Sequence, residues 1–296
     1  MNKPPDILCI GSVLWDVIGR TASHMRVGSD VPGRIHRLPG GVAMNIAMTL
    51  VRFGLRPALL SALGRDVEGD ELAAEAARMG MEVEHLYRSD DLPTDIYMAI
   101  EGANGLIARS DAHSLEQAGD KILRPLDDGR LGSADAPWAG LVALDGNLTT
   151  ELLAQIARSP LFARADLRVA PASPGKAERL LALMGHPTAT LYVNLEEAGL
   201  LCHAAFESSD AAARALVARG AHRALVTDGG RAATVATAHD VFTQTPPEVL
   251  VTRVTGAGDT FMAAHIASEA EGMAPEAALA RALTAAATYV SGDNPL

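Results

Sequence analysis

The sequence predicts an α/β fold in which a doubly wound, mostly parallel sheet is flanked by helices and carries a small β lid. Three observations support this fold class. Apolar runs of strand length show no polar alternation, which is typical of strands buried on both faces of a parallel sheet. Longer stretches with helical periodicity alternate with those runs, as expected for helices that cover a sheet. Two further segments interrupt this alternation and have the pattern of antiparallel strands.

The predicted sheet is formed by apolar runs that each have the length of one strand. They are residues 7–11, 59–63, 141–144, 167–170, 190–193 and 224–227. The predicted helices have apolar residues at helical spacing and lie between these runs. They are residues 42–53, 68–79, 149–157 and 211–219. Strands that alternate with helices along the chain are the pattern of parallel strands joined by helical crossovers.

The lid is predicted from two segments that lack helical period. Residues 18–38 carry scattered charges, and residues 94–110 read as two strands around the turn Gly102-Ala103-Asn104-Gly105, in which Asn-Gly is a favoured hairpin dipeptide. Such insertions would cover the carboxyl edge of the sheet, where ligands of open α/β sheets bind, although long surface connections are the alternative. We expect residues 1–296 to form a single domain with this lid inserted, and residues 119–137 to form an irregular surface loop.

Composition narrows the classes of function. The chain has 296 residues, 48% of them hydrophobic, with a formal net charge of -11. An acidic chain without clustered Lys and Arg is a poor match to a nucleic-acid-binding surface, so we expect no nucleic acid polymer as a partner. No segment has the roughly 18 consecutive apolar residues of a membrane span. Cys9 and Cys202 match neither a metal spacing nor a disulfide framework, and we expect a cytoplasmic protein.

The most informative motif runs from Val254 to Phe261, with the sequence Val-Thr-Gly-Ala-Gly-Asp-Thr-Phe. Its two glycines allow a tight turn that brings the backbone close to a ligand. The unpaired N–H groups at the start of the helix that follows favour an oxyanion. Asp259 lies where a base would be useful, so the motif suits phosphoryl transfer, with an ordinary helix N-cap as the alternative.

A second group of residues suits a sugar. Gly40 and Gly41 lead into a predicted helix whose first turn exposes Asn45, and Asp16 lies just beyond the first strand. An amide both donates and accepts hydrogen bonds, and an ionised carboxylate accepts from two vicinal hydroxyls. We therefore predict that these four residues bind the substrate, although a structural turn and a cap are the alternatives.

Two motifs follow strands and suit a nucleotide with its metal. Asn194-Leu195-Glu196-Glu197 follows one strand, and Thr227-Asp228-Gly229-Gly230 follows another. A carboxylate in the first turn of a helix can hold Mg²⁺ through water, because Mg²⁺ takes few protein oxygens. Thr-x-Gly can approach the phosphates of a nucleotide. A routine helix start remains the alternative for the first motif.

In this order, the motifs resemble those of the ribokinase-like, or PfkB, family of carbohydrate and nucleoside kinases. Gly40-Gly41 with Asn45 is similar to the family's N-terminal signature, residues 194–197 to its Asn-x-x-Glu motif and residues 254–261 to its C-terminal signature. The resemblance spans nearly the whole chain. It implies a ribokinase-like fold with a β lid, and ATP-dependent phosphorylation of a primary hydroxyl with Mg²⁺.

The resemblance also implies roles for individual residues. Asp259 would be the general base, and the backbone N–H groups of Gly256, Ala257 and Gly258 would bind the transferring phosphoryl group. Glu197 would hold Mg²⁺ through water. The residues expected to bind the nucleotide are Asn194, Thr227, Gly229 and Gly230. Arg253 stands where members activated by a monovalent cation commonly have an aspartate, which predicts little activation by K⁺.

Within the family, the chain resembles the bacterial pseudouridine kinases. The matching residues are in Ser29 to Ile35, Pro39 to Ala47, Leu60-Ser61-Ala62, Asp145-Gly146-Asn147 and Asn294-Pro295-Leu296. Pseudouridine is then the implied substrate, and Ser12, Thr94, Tyr97 and Asn147 are candidates to lie near its base. Ribose, fructose or adenosine as the substrate, and a catalytically silent sugar or nucleoside sensor, are the alternatives. The edge of the lid sheet makes a homodimer through the lid a further expectation.

Overall fold

The computed structural model of the chain describes residues 4–26, 28, 30–102, 105–110 and 113–292. Ser29, Ala103, Asn104 and residues 294–296, on which parts of the turn prediction and of the pseudouridine kinase resemblance rest, lie outside the described residues. Among those described, no helix is both long enough and apolar enough to cross a membrane.

The strands are numbered in chain order. They are β1 (Ile7–Ile10), β2 (Leu14–Arg20), β3 (Arg34–Gly40), β4 (Pro57–Leu60), β5 (Ala62–Gly64), β6 (Tyr87–Ser89), β7 (Ile96–Gly102), β8 (Gly105–Ser110), β9 (Leu141–Asp145), β10 (Asp166–Ala170), β11 (Thr190–Asn194), β12 (Arg223–Thr227), β13 (Ala233–Thr237) and β14 (Val241–Gln244).

The α-helices are numbered in the same way. They are α1 (Val42–Arg52), α2 (Val67–Arg78), α3 (Ser114–Ala118), α4 (Thr150–Arg158), α5 (Leu195–Cys202), α6 (Ser209–Ala218), α7 (Ala257–Ala270) and α8 (Pro275–Ser291). Three further segments are 3₁₀ helices, at Gly119–Leu126, Pro160–Phe162 and Pro174–Leu183.

The main sheet has eight strands in the order β14-β13-β12-β11-β10-β9-β1-β4. All pairs from β4 to β12 are parallel, and β13 pairs antiparallel with both of its neighbours. The chain moves from β1 to β4 on one side and returns to β9 on the other, so β1 and β9 flank the point where the strand order reverses. The predicted doubly wound, mostly parallel sheet is confirmed.

The sheet is buried on both faces, as its continuous apolar runs predict. Within β1, Leu8 and Ile10 belong to one hydrophobic cluster, while Ile7 and Cys9 belong to the cluster on the opposite face. Helices α4, α5 and α6 contribute side chains to the first cluster, and helices α1, α2, α7 and α8 contribute to the second. Side chains of successive residues in a strand point to opposite faces, so one apolar strand supplies both layers.

A separate sheet of four strands, in the order β3-β2-β7-β8, corresponds to the predicted lid. The first strand of this sheet, β2, starts at Leu14, which is earlier than the predicted start of the lid at residue 18. Strands β7 and β8 pair antiparallel, with Gly102 opposite Gly105. This sheet is fixed at its base to α2, because Trp15 Nε1 donates to Glu68 O at 2.9 Å and Arg37 Nη1 lies 2.8 Å from Glu71 Oε2.

Two local predictions were wrong. The run at residues 59–63 is not one strand, since β4 ends at Leu60 and β5 pairs with β6 in a two-stranded sheet. The predicted surface loop at residues 119–137 begins with the 3₁₀ helix Gly119–Leu126, in which Ile122 and Leu126 are fully buried. The paired Asp and Gly residues that suggested a loop lie after this helix, whereas its apolar residues close one end of the core.

Candidate active site

The predicted site residues meet at the carboxyl edge of the main sheet. Ser12 follows β1, Asp145 ends β9, Asn194 ends β11 and Thr227 ends β12. Crevices that bind ligands form at this edge where the strand order reverses, because the connections on the two sides diverge. Here that position lies between β1 and β9.

Asp145 is the structural centre of this edge. Its side chain is fully buried, and its Oδ2 accepts hydrogen bonds from Ser12 N at 2.7 Å, Ser12 Oγ at 2.8 Å and Ala43 N at 3.2 Å. Its Oδ1 accepts from Asn147 N at 2.6 Å. Burial raises the pKa of Asp145, whereas these hydrogen bonds oppose that shift. Asp145 therefore joins β1, β9 and the start of α1, a role that sequence reasoning missed.

Ser12 has no hydrogen-bonding capacity left for a substrate. Its hydroxyl donates to Asp145 Oδ2 and accepts from Val42 N at 2.8 Å and from Asn147 Nδ2 at 2.9 Å. A hydroxyl has one donor and two acceptor sites, so all three are used. Ser12 thus holds the first turn of α1 in place, and its expected position near a base stays a prediction.

Thr94 and Asn147 also have hydrogen-bond partners within the protein, and their expected position near a base likewise stays a prediction. Thr94 Oγ1 donates to Asp66 Oδ1 at 2.5 Å and accepts from Gly64 N at 3.0 Å. Asn147 uses both ends of its amide, because Nδ2 donates to Ser12 and Oδ1 accepts from Lys176 Nζ at 2.6 Å. The same residue types also bind ligands in proteins, so only the hydrogen bonds of the folded chain show which of them have structural partners.

Asp16 and the glycine pair form a close-packed corner at the base of the small sheet. A Cβ placed on Gly40 would lie 2.0 Å from Asp16 Oδ2, and Gly41, at φ +94°, would bring a Cβ within 2.5 Å of Ser12 O. Glycine is therefore required at both positions, because a side chain at either one would clash with these neighbouring atoms. No hydrogen-bond partner of the Asp16 carboxylate is present among the described residues, and burial raises its pKa to about 6. A partly buried acceptor without a donor suits a ligand that brings hydroxyl groups.

Tyr97 lies on the same face of the small sheet as Asp16. In the register of β2, Asp16 is the partner of both Leu38 in β3 and Tyr97 in β7. Paired residues of neighbouring strands point to the same face. Tyr97, one of the four candidates to lie near a base, is therefore placed beside the predicted sugar-binding carboxylate.

Asn45 and Asp259 meet where α1 and α7 come together. Asn45 Nδ2 donates to Asp259 Oδ2 at 2.9 Å. Burial raises the pKa of Asp259 to about 7, the Asn45 hydrogen bond lowers it, and the charges of Asp145, Asp16 and Glu197 raise it further. Asp259 keeps partial contact with solvent. A carboxylate with a pKa near neutrality can take up and release a proton at physiological pH.

The turn before α7 presents backbone N–H groups beside Asp259. Gly256 is the N-cap at φ 88°, where a Cβ would lie 2.5 Å from Tyr289 Oη. Ala257 N donates to Val254 O at 3.0 Å, so the predicted contribution of Ala257 to an anion hole does not fit this conformation. The N–H groups of Gly256, Gly258 and Asp259 have no acceptor among the described residues. Unpaired donors at a helix start, together with the helix dipole, favour an anion.

Glu197 and Asn194 cap helix α5 reciprocally. Asn194 Oδ1 accepts from Glu197 N at 2.9 Å, and Asn194 N donates to Glu197 Oε2 at 2.8 Å. The Asn194 amide oxygen is thus committed to the cap, while its Nδ2 has no partner among the described residues. Glu197 is buried and burial raises its pKa, yet no donor contacts its Oε1 in the described part of the chain.

The carboxylates of the site fit a hydrated Mg²⁺ better than a directly ligated one. Across the described ranges, the group of three carboxylate or imidazole ligands close enough to share an ion is Glu82, Glu84 and His85, away from Asp259. Glu197 and Asp259 interact electrostatically without forming such a group. Mg²⁺ usually keeps several waters and takes one or two carboxylates with the phosphates of a nucleotide. The free Oε1 of Glu197 is consistent with that arrangement.

Thr227, Gly229 and Gly230 line an open turn between β12 and β13. Gly229 adopts φ +57°, and a Cβ on Gly229 or Gly230 would have no atom within 4 Å. The turn is closed by Arg231 N, which donates to Asp228 O at 2.9 Å. The space above these glycines therefore allows a ligand to approach the backbone.

Comparison with known proteins gives one family match. The pfkB family carbohydrate kinase model matches residues 4–295. The sugar kinase YeiI of Escherichia coli K12 is 34% identical over 147 residues, which cover 49% of this chain and 39% of that protein. The pseudouridine kinase of Escherichia coli K12 is 27% identical over 294 residues, which cover 92% of this chain and 86% of that protein.

The fold is shared with solved structures. A ribokinase from Arabidopsis thaliana, solved with ribose and ATP, superimposes with a TM-score of 0.78 at 19% identity, covering 99% of this chain and 95% of that protein. A carbohydrate kinase from Agrobacterium tumefaciens superimposes with a TM-score of 0.81 at 25% identity, covering 98% and 94%. The expected ribokinase-like fold, with its separate small sheet, is confirmed.

Proposed function

This chain belongs to the pfkB family of carbohydrate kinases, and on that basis we propose that it transfers the γ-phosphoryl group of ATP to the 5′-hydroxyl of pseudouridine. The observation that carries the proposal is the position of Asp259. Its partly buried carboxylate has a pKa of about 7, is held by Asn45, and lies at the start of a helix with unpaired N–H groups. The similarity to a pseudouridine kinase over 92% of the chain supports the choice of acceptor.

In the proposed reaction, Asp259 takes the proton of the 5′-hydroxyl. The hydroxyl oxygen forms a bond to the γ-phosphorus, the bond from that phosphorus to the β,γ-bridging oxygen breaks, and ADP leaves. Asp259 then releases its proton to solvent. General-base catalysis typically contributes about 10²–10⁴-fold, so Asp259 should account for much of the rate.

The N–H groups of Gly256, Gly258 and Asp259 are proposed to bind the oxygens of the transferring phosphoryl group. The transition state of phosphoryl transfer is loose, so positioning and charge neutralisation supply most of the remaining catalysis. Glu197 would hold Mg²⁺ through water, and the ion would neutralise phosphate charge. Thr227, Gly229, Gly230 and the Asn194 amide nitrogen are proposed to contact the nucleotide, which suits a cytoplasmic setting where ATP is available.

Asp16 and Asn45 are proposed to bind the ribose. Asp16 offers a carboxylate without a donor, and Asn45 Oδ1 has no partner among the described residues. The Gly40-Gly41 backbone lies beside both. Tyr97 shares the face of Asp16 and is proposed to contact the base, which sits next to the ribose in any nucleoside.

The proposal is tested by ADP release with pseudouridine, uridine, adenosine, ribose and fructose as acceptors. We expect the highest kcat/KM with pseudouridine. A preference for a free sugar would instead indicate a general carbohydrate kinase, and release of ADP with none of them would favour a sensor that keeps the fold. Asp16→Asn should raise KM for the nucleoside and leave KM for ATP unchanged, whereas Asp135→Asn, at an exposed position outside the predicted site, should change neither.

We also propose a homodimer formed through the small sheet. Ile35 is 77% exposed and Met98 is 42% exposed on this sheet, and β3 lies at one of its edges. Exposed apolar side chains on an edge are a common feature of interfaces. Light scattering should show a dimer that Ile35→Asp converts to monomer, while Val67→Asp, at another exposed apolar position on α2, should leave the dimer intact. A monomeric wild-type protein would exclude this arrangement.

A further inference from the structure

A second cavity, of about 390 Å³, lies away from Asp259 between the strand β6 and the 3₁₀ helix Gly119–Leu126. Its volume is in the range of pockets that hold small molecules. Basic side chains dominate its lining. They are His85, Arg65, Arg88, Lys121, Arg124 and Arg130.

Three of these cations are neutralised by carboxylates. The ion pairs are Arg65 with Asp90 at 2.9 Å, Arg88 with Asp70 at 2.6 Å and Arg130 with Asp128 at 2.6 Å. Each arginine therefore has an acidic partner, and these pairs alone would leave the cavity nearly neutral.

Lys121 and Arg124 have no acidic partner among the described residues. Their contacts are with the ring of Tyr87, whose centroid lies 5.6 Å from Lys121 Nζ and 5.9 Å from Arg124 Cζ. Both side chains come from one short helix and line the cavity together. Residues three apart in a 3₁₀ helix lie on the same face, so both charges are on the side of the cavity, and no carboxylate of a described residue offsets them although the chain has a net charge of -11.

His85 supplies a second, independent observation. Its side chain is 6% exposed and lines the cavity, and its Nδ1 is buried without a hydrogen-bond partner in the described part of the chain. Leaving a buried polar group unpaired costs about 1–3 kcal/mol, so such a group usually marks a missing partner. Because Nδ1 has no exposed surface, it lies behind the wall of the cavity, and an oxyanion would reach it only when the imidazole ring turns toward the cavity.

A metal ion is a poorer match to the same place. Glu82, Glu84 and His85 are close enough to share an ion, but Glu82 is already paired with Arg56 at 2.5 Å. The adjoining cavity is lined by cations, which would repel a metal. The charge of the lining therefore favours an anion.

We propose that this cavity binds the phosphate group of a small phosphorylated metabolite, at a site separate from that of phosphoryl transfer. Lys121 and Arg124 provide the charge, since cations that contact phosphate oxygens form strong, charge-assisted hydrogen bonds. His85 lies at the wall of the cavity, where a turn of its ring would bring Nδ1 within reach of the phosphate. The remaining volume accommodates the rest of the metabolite, because a phosphate group alone would not fill it.

The test is calorimetric titration of the full chain with glucose 6-phosphate and, separately, with inorganic phosphate. The transfer site is saturated beforehand with a non-hydrolysable ATP analogue and Mg²⁺. The test variant is Lys121→Gln/Arg124→Gln, and the matched control is Arg52→Gln/Arg158→Gln, which removes two exposed arginines far from the cavity. Both doubles change the net charge equally, and none of these residues belongs to the catalytic site.

We expect both probes to bind the wild type and the control alike, with glucose 6-phosphate the tighter, and to bind the Lys121/Arg124 variant about tenfold more weakly or worse. His85→Phe should also weaken binding. Equal affinity of the two double variants, or no binding to the wild type, would overturn the site. Glucose 6-phosphate that binds no more tightly than phosphate would overturn its assignment to a metabolite. Neither result depends on turnover, so the proposed kinase activity is tested separately.

Discussion

Asn45 Nδ2 donates to Asp259 Oδ2 at 2.9 Å, which joins the first turn of α1 to the first turn of α7 across 214 positions of sequence. This contact places the predicted sugar-binding amide directly on the predicted base. The hydrogen bond orients one oxygen of the Asp259 carboxylate and stabilises its ionised form. Burial and the nearby carboxylates favour its neutral form instead.

Replacing the base should abolish most turnover without loss of nucleotide binding. Asp259→Asn keeps the size and polarity of the side chain but cannot accept the substrate proton. We expect kcat to fall by about 10²–10⁴-fold in an ADP-release assay, with the affinity for ATP unchanged by calorimetry. Asp210→Asn, an equivalent change on the exposed face of α6, should retain full activity, and an active Asp259→Asn enzyme would remove Asp259 from the mechanism.

The same contact should set the pH dependence. Because Asp259 must be ionised to act as a base, kcat/KM should rise with pH through an apparent pKa of about 7. The Asn45 hydrogen bond lowers that pKa, so Asn45→Leu should move the rising limb to higher pH. The profile is measured from pH 5 to 9. Gln155→Leu, which removes an exposed amide on α4, should leave the rising limb of the pH profile in place. If Asn45→Leu also leaves this limb in place, Asp259 is not the titrating group.

Stability should show the opposite trend. The pKa of Asp259 is raised from 3.8 to about 7 on folding, so the native state holds a proton more tightly than the unfolded state, and stability falls as pH rises between these values. Asp259→Asn removes this cost. At pH 8 we expect the variant to be more stable than the wild type by on the order of 1–3 kcal/mol in urea denaturation. The difference should shrink at pH 5, and a destabilised variant at pH 8 would contradict the raised pKa.

Asp145 should matter for stability more than any surface carboxylate. Asp145→Ala leaves Ser12 N, Ser12 Oγ, Ala43 N and Asn147 N without their buried acceptor. We expect a loss of about 3–5 kcal/mol in the free energy of unfolding, because unpaired buried donors keep their full desolvation cost. Asp240→Ala, at an exposed turn, serves as the control and should change stability little. A small loss in Asp145→Ala would mean that water replaces the carboxylate.

Arg253 should make the rate insensitive to the monovalent cation. Its Nε donates to Tyr289 O at 2.7 Å, and its guanidinium lies 3.9 Å from the centroid of the Tyr289 ring. A fixed positive charge thus occupies the end of α8, where it also interacts favourably with the helix dipole. We expect equal rates in Na⁺ and K⁺ buffers of the same ionic strength. A large increase in K⁺ would contradict this interpretation.

The sequence by itself determined the parallel strands β1, β4 and β9 to β12 of the main sheet and the helices α1, α2, α4 and α6, because apolar periodicity is a local property of the chain. It also pointed to Asp259, Asp16 and Asn45, whose roles stay predictions. It did not predict the strands β13 and β14 or the 3₁₀ helix Gly119–Leu126, because short antiparallel strands and irregular helices take their stability from contacts with distant residues.

Tertiary structure alone decided which polar residues remain available to a ligand. Ser12, Thr94 and Asn147 are polar like Asp16 and Asn45, yet folding supplies the first three with partners and leaves the carboxylate of Asp16 without one among the described residues. The pKa of Asp259 was likewise undetermined until residues from four separate parts of the chain surrounded it. Hydrogen bonding and desolvation depend on neighbours in space, and the neighbours of Asp259 come from parts of the chain that are far apart in the sequence.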